Sequence, residues 1–306
     1  MIFLNEYKFT IASPVDSLPL ACLLVAPEEV KGLVLLVHGL AEYKDRYLPL
    51  MRCLAEDGFA CLIHDRRGNG ESMRKPGDFD CTYGAGAEGI LRDVRAAAEE
   101  LERRYPAKKL FLYGHSIGAM IALCYMKRWG SGVSGVILGS MPQNMSALGA
   151  GKAYLKLKRT FKGASYRDPA VQKLMASNFA IKGESSPFAW LNSDPERVKQ
   201  YEADPLCGQL GTVEGYLALI DIMQDAYDKK GWSKVNPLCP FFIAAGADDP
   251  CAGGESGASD GEKYLKSLNL VRVEHKSYPG MRHEINNEPG APAVVHDFQN
   301  RLIAWL

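Results

Sequence analysis

Gly114-His115-Ser116-Ile117-Gly118 is the stretch of this sequence best suited to chemistry. It follows a short apolar run, Lys109 to Tyr113, and precedes Ala119 to Trp129, which has a helix-like composition. G-x-S-x-G between a strand and a helix forms a sharp turn that lifts a serine hydroxyl clear of a sheet. Gly114 and Gly118 are both needed, because side chains there would clash with neighbouring backbone. The chemistry implied is nucleophilic attack by Ser116, and a serine hydroxyl needs a base to take its proton.

Six histidines could supply that base. His115 adjoins Ser116 in sequence but is expected to point away from it. His38 ends a strand in a His-Gly turn, His64 ends a buried strand, His275 lies within a strand, and His296 sits on the final helix. His283 follows the last strand, in Tyr278-Pro279-Gly280-Met281-Arg282-His283-Glu284. Loops leaving that edge of an open α/β sheet are where catalytic groups collect, so His283 is the candidate base. An acid must hold its tautomer and stabilise the imidazolium, and the chain order Ser, acid, His places that acid between residues 116 and 283. Asp249, in Gly246-Ala247-Asp248-Asp249-Pro250 after a further strand, is the candidate, and Asp248 is read as a solvated turn carboxylate. The oxyanion is expected to be held by the backbone N–H groups of Ile117 and Leu40.

The elements that must position these groups follow in order. Glu6 to Ile11 and Leu20 to Ala26 read as an antiparallel hairpin around Ser13-Pro14-Val15-Asp16. Leu33 to Val37, Phe59 to Ile63, Lys109 to Tyr113 and Val133 to Leu138 are short apolar runs, as expected of strands covered on both faces. Tyr47 to Glu56 and Glu88 to Arg104 carry apolar residues at helical spacing. Strands alternating with helices predict a mostly parallel, doubly wound sheet with right-handed crossovers. The alternation stops after the sixth strand. Residues 141–235 hold helix-like segments, aromatics and three Asp-Pro breaks, and are expected to form a helical cap inserted over the sheet. The core would then comprise residues 1–140 and 236–306, with strands at Pro240 to Ala245 and Val271 to Tyr278 and a closing helix from Ala293 to Leu306. Gly253-Gly254-Glu255-Ser256-Gly257 is expected to be a mobile loop.

Composition narrows the function classes. The chain has 306 residues with 36 basic and 36 acidic side chains, so it carries no nucleic-acid footprint. No apolar stretch approaches the roughly 20 residues of a membrane span. The opening residues lack a basic region followed by a long apolar one, so no secretory leader is expected. The eight cysteines include no C-x-x-C pair, which points to free thiols in a reduced cytoplasm and to no metal site. Cys251 is read as a bystander to the site.

Taken together, these residues resemble the α/β-hydrolase superfamily, and within it the monoacylglycerol lipase and lysophospholipase-like branch (serine aminopeptidase S33-type). His38-Gly39-Leu40-Ala41-Glu42-Tyr43-Lys44-Asp45-Arg46-Tyr47 is similar to that branch's H-G-x-x-E-H-x-x-R-Y, with Tyr43 where histidine is usual. His64-Asp65-Arg66-Arg67-Gly68-Asn69-Gly70-Glu71-Ser72 is similar to D-x-R-G-H-G-x-S, with Asn69 replacing histidine. The elbow, the Tyr278 to Glu284 segment, and Trp190-Leu191 with Tyr201 to Cys207 in the insertion complete the likeness. The resemblance implies hydrolysis of an acyl ester held under a cap, on a small-molecule substrate and without a cofactor, and leaves oligomeric state open. Glu42, Arg46 and Asp65 are expected to tie loops together by hydrogen bonds. A serine aminopeptidase or amidase on the same scaffold is the second reading, with Glu184, Asp194 and Glu202 available for a free amino group. A non-catalytic binder that keeps the fold is the third.

Overall fold

The computed structural model describes residues 3–306, so Met1 and Ile2, which bear on the expectation about a leader, lie outside the described residues. An eight-stranded sheet runs through the molecule. Its strands are β1 (Leu4–Ala12), β2 (Pro19–Pro27), β3 (Gly32–Val37), β4 (Phe59–His64), β5 (Lys109–His115), β6 (Val133–Gly139), β7 (Phe241–Gly246) and β8 (Val273–Tyr278). The order across the sheet is β1-β2-β4-β3-β5-β6-β7-β8. The β1/β2 and β2/β4 pairs are antiparallel and all others parallel. The strand order turns at β3 and β5, so the chain leaves the sheet for opposite sides there, where α/β sheets open a crevice at the carboxyl ends of their strands.

Helices cover both faces. They are α1 (Leu48–Glu56), α2 (Gly86–Arg104), α3 (Ile117–Trp129), α4 (Leu148–Lys162), α5 (Pro169–Asn178), α6 (Pro195–Ala203), α7 (Val213–Tyr227), α8 (Gly257–Lys266) and α9 (Ala291–Trp305). Successive strand residues point to opposite faces. Leu33, Leu35, Val37, Leu110 and Leu112 accordingly pack with α2, α3, α7 and α8. Val34, Leu36, Phe111 and Tyr113 pack with α1 and α9 on the other side.

The insertion after β6 differs in part from the expectation. Two of its Asp-Pro pairs are helix starts rather than breaks. Asp168 accepts from the Ala170 N–H and Asp194 from the Glu196 N–H, with Pro169 and Pro195 in the first turn, where a missing N–H costs nothing. Asp204-Pro205 ends α6 instead. The last helix expected in the insertion, α7, buries Val213, Leu217, Leu219 and Ile222 in the main core against α3, so its packing is that of a core helix. The glycine-rich patch expected as a mobile loop forms a 3-10 turn (Gly254–Ser256) leading into α8. That helix presents Gly257, Ala258, Gly261 and Leu265 inward, and a Cβ on Gly261 would crowd Met141 and Ile243. Its inner face is built of small residues, so apolar periodicity does not announce it. Among the described residues no helix is long and apolar enough to cross a membrane.

One buried ion pair ties the antiparallel edge to the helical layer. Arg67, in the loop after β4, donates from Nε to Asp93 Oδ2 of α2 at 2.7 Å and from Nη2 to Ser13 Oγ at 2.9 Å. Ser13 Oγ in turn donates to Asp93 Oδ1 at 2.6 Å. Removing one partner of such a pair leaves an uncompensated buried charge, at a cost of about 3–5 kcal/mol. Asp93→Ala is expected to lose stability of that order in urea unfolding, and a loss below about 1 kcal/mol would show the pair to be solvated.

Candidate active site

Ser116 sits between the end of β5 and the start of α3, with φ 55° and ψ −125°. This is a region that costs a non-glycine residue of order 1–3 kcal/mol. The elbow glycines explain how the turn closes. A Cβ on Gly114 would overlap the carbonyl of Gly118, and a Cβ on Gly118 would overlap the carbonyl of Val37 at the end of β3. The Ser116 N–H donates to the Gly139 carbonyl of β6 at 2.8 Å, tying the strained residue to the neighbouring strand.

The loops after β7 and β8 meet this hydroxyl. His283 Nε2 lies 2.8 Å from Ser116 Oγ, and His283 Nδ1 lies 2.8 Å from Asp249 Oδ2. A carboxylate only accepts, so Nδ1–H donates to Asp249 and Nε2 is free to accept from the serine hydroxyl. Asp249 is fully buried, and its Oδ1 accepts from the N–H groups of Cys251 (2.8 Å) and Ala252 (3.2 Å). Asp248 is exposed, as a solvated turn residue would be. Burial and the Asp249 charge push the Cys251 thiol far above its ordinary range, so Cys251 stays a thiol.

The turn after β3 is fixed by His38, which belongs to it, and by Arg66 from the loop after β4, whose link to it the sequence does not mark. Arg66 Nη2 and His38 Nδ1 both donate to the Gly39 carbonyl at 2.9 Å, and His38 Nε2 accepts from the Arg66 N–H at 2.9 Å. Burial and the Arg66 charge hold His38 neutral, which that pattern requires. In a trans peptide the N–H points opposite to the carbonyl, so anchoring the Gly39 oxygen also orients the Leu40 N–H. A Cβ on Gly39 would lie 3.3 Å from Ser116 Cβ, so this turn abuts the serine. Among the described residues the Leu40 and Ile117 amides have no backbone acceptor.

Behind the imidazole lies a buried charged cluster. Glu42 accepts from Gly39 N–H (2.6 Å) and from the Tyr47 hydroxyl (2.7 Å), and pairs with Arg46 (3.3 Å), which also pairs with Glu284. His115 does turn away from Ser116. Its Nδ1 faces Glu42 Oε1 at 3.3 Å and its Nε2 faces the His283 carbonyl at 3.0 Å. Both neighbours are acceptors, an arrangement that favours protonation of both ring nitrogens. Burial works against that charge, but the Glu42 carboxylate outweighs it and raises His115 above the ordinary histidine range. Burial likewise opposes the Glu42 charge, and His115 and Arg46 hold it well below the usual carboxylate range. Asp65 acts elsewhere as a tie, accepting from the Lys44 N–H and Nζ. His275 pairs with Glu262, His296 neighbours Asn300, and His64 is buried without a partner, so none of the three reaches the serine.

Sequence reasoning also missed Ser140 and Trp190. The Ser140 hydroxyl donates to the His283 carbonyl at 2.6 Å, and the Trp190 ring centroid lies 4.7 Å from that of His283. Nothing local marks Ser140. Trp190 was visible only as part of a family-like segment.

A family profile described as serine aminopeptidase, S33, matches residues 28–290. The chain belongs to this family. It is 27% identical to a monoglyceride lipase of Saccharomyces cerevisiae, over 91% of this chain and 85% of that one. It is 29% identical to a monoglyceride lipase of Homo sapiens, over 90% of this chain and 82% of that one. Among solved structures, a thermostable carboxyl esterase from Bacillus coagulans in complex with glycerol superposes with a TM-score of 0.86 at 24% identity, covering 100% of this chain and 98% of that one. A soluble variant of the Saccharomyces cerevisiae monoglyceride lipase superposes with a TM-score of 0.74 at 21% identity, covering 99% and 96%. The fold is that of the α/β-hydrolases.

The Glu42–His115 pair has a pH signature. His115 is raised on folding, so its contribution is fully present below about pH 6.5 and is lost as the pH rises through the folded value. Glu42 is depressed, so its contribution is present above about pH 4.3 and is lost as the pH falls. Urea unfolding should therefore show the stability gap between wild type and His115→Gln narrowing from about pH 6 to about pH 9. A gap that holds or widens would contradict a charged His115.

Proposed function

We propose that this chain is a serine hydrolase of carboxylic esters, acting on monoacylglycerol- or lysophospholipid-like acyl esters through an acyl-enzyme. The observation that carries the reading is the unbroken hydrogen-bonded chain from Ser116 Oγ through His283 to Asp249. Ser116 Oγ attacks the ester carbonyl carbon while His283 Nε2 takes its proton. The negative charge that develops on the carbonyl oxygen is held by the N–H groups of Ile117 and Leu40, each worth about a hundredfold to a thousandfold in rate. His283 returns the proton to the leaving alcohol as the ester C–O bond breaks. A water then gives a proton to His283, attacks the acyl-enzyme, and Ser116 departs with its proton restored. Asp249 holds the tautomer and stabilises the imidazolium throughout. No step calls for a cofactor.

In this reading residues 141–235 form the cap over the site, and acyl-chain recognition belongs to that segment. The peptidase alternative would use acidic residues to hold a free amino group, but each of the three is committed elsewhere. Glu184 pairs with Arg282 at 3.0 Å, Asp194 caps α6, and Glu202 accepts from the Ser186 hydroxyl at 2.5 Å. That commitment favours the ester. A cytoplasmic setting fits eight cysteines that are all free.

Steady-state turnover of p-nitrophenyl esters of graded chain length, beside a monoacylglycerol and an amino-acid anilide, tests the proposal. Esters should be cleaved and the anilide not, and Ser116→Ala should lose at least about a thousandfold in kcat. Full activity in Ser116→Ala, or preference for the anilide, would overturn it.

A further inference from the structure

His283 is carried on a loop, and a catalytic imidazole on a loop needs outside support to keep its geometry. The support comes from the inserted segment. Arg282 donates to the carbonyls of Ala189 (2.7 Å) and Asn192 (3.1 Å), the His283 N–H to the carbonyl of Trp190 (3.3 Å), and the Glu284 N–H to that of Leu191 (2.7 Å). Asn192 Nδ2 donates to the Asn287 carbonyl at 2.9 Å, and the Ser193 N–H to Glu288 Oε1 at 2.9 Å. Five consecutive residues of the insertion are thus joined to the loop on both sides of the imidazole.

Within this seam Trp190 touches the reacting group's partner directly. Its ring lies 4.7 Å from the His283 ring at an interplanar angle of 50°, and Phe179, just past α5, backs it at 4.8 Å. His115 stands on another side of the imidazole at 5.0 Å. We propose that Trp190 is a positioning residue for His283: it confines the imidazole to the orientation shared by Ser116 and Asp249, and favours the imidazolium formed during acyl transfer. An aromatic face attracts an adjacent cation, and a cation that exists only during the reaction is stabilised selectively in the transition state. This rests on the reading of His283 as the base. It makes residues 189–193 a working part of the catalytic centre, so seating of the insertion and competence of the base are linked.

The test is hydrolysis of p-nitrophenyl butyrate by wild type, Trp190→Phe, Trp190→Ala and Ser116→Ala. Trp190→Ala should lose about tenfold to a hundredfold in kcat with KM changed less than about threefold, and Trp190→Phe should recover most of the loss, because the term removed acts in the transition state. Wild-type kcat in Trp190→Ala, or a defect confined to KM, would overturn the inference. Inactive Ser116→Ala with unimpaired Trp190→Ala defeats this inference alone, whereas active Ser116→Ala defeats the functional reading itself. Trp190→Phe keeps an aromatic face against the imidazole and so tests the inference independently of how Trp190→Ala folds: kcat well above that of Trp190→Ala at a wild-type-like KM is expected, and a Trp190→Phe as impaired in kcat as Trp190→Ala would overturn the inference.

Discussion

The approach of the Gly118 backbone to the Val37 carbonyl is the constraint on which the rest of the molecule depends. With a side chain at either elbow glycine, α3 could not seat this close to β3 and β5, and Ser116 would relax from its positive φ. The strain at Ser116 is held by a hydrogen bond to β6 and by burial of almost every residue of α3. Strand packing therefore sets where the hydroxyl lies, and the loops after β3, β7 and β8 only have to reach it.

His283 reaches it from a mobile class of element that is held on several sides at once. Ser140 and His115 donate to its carbonyl, Trp190 accepts from its N–H, and Asp249 accepts from its ring. Behind it, Glu42, His115, Arg46 and Glu284 form a buried network of charge-bearing groups, in which burial pushes the Glu284 carboxyl up and Arg46 opposes it. Such charges are expensive to desolvate, and removing any one member strands the others. Their arrangement spans the turn after β3, the elbow and the histidine loop, so the three segments that must meet at the serine are joined by charge as well as by packing.

Ser116, Asp249 and His283, which the structure brings within hydrogen-bond distance of one another, could be picked out because each is announced locally. Ser116 lies in a turn whose glycines have one geometric purpose, Asp249 follows the apolar strand β7, and His283 follows the last strand at the edge where parallel strands end. The place of His283 on the loop after the last strand resolved the choice between histidines, and the Ser-acid-His order bounded the search for the acid. The central strands were legible for the same reason, being continuous apolar runs. Helix α8 was not, since glycines and an alanine form most of its packing face. Helix α7 was assigned to the insertion because strand alternation had ceased, although its apolar face packs on α3. The Arg66 partner of the Gly39 carbonyl, the pairing of His115 with Glu42 and the contact of Trp190 with His283 are long-range, and nothing in the flanking residues specifies them.

Covalent labelling with a fluorophosphonate followed by peptide mass mapping tests directly whether Ser116 is a strained and base-activated nucleophile. One adduct is expected, on Ser116, formed rapidly in the wild type and at least about a hundredfold more slowly in His283→Ala. An adduct on another residue, or equal labelling rates in the two proteins, would contradict that assignment.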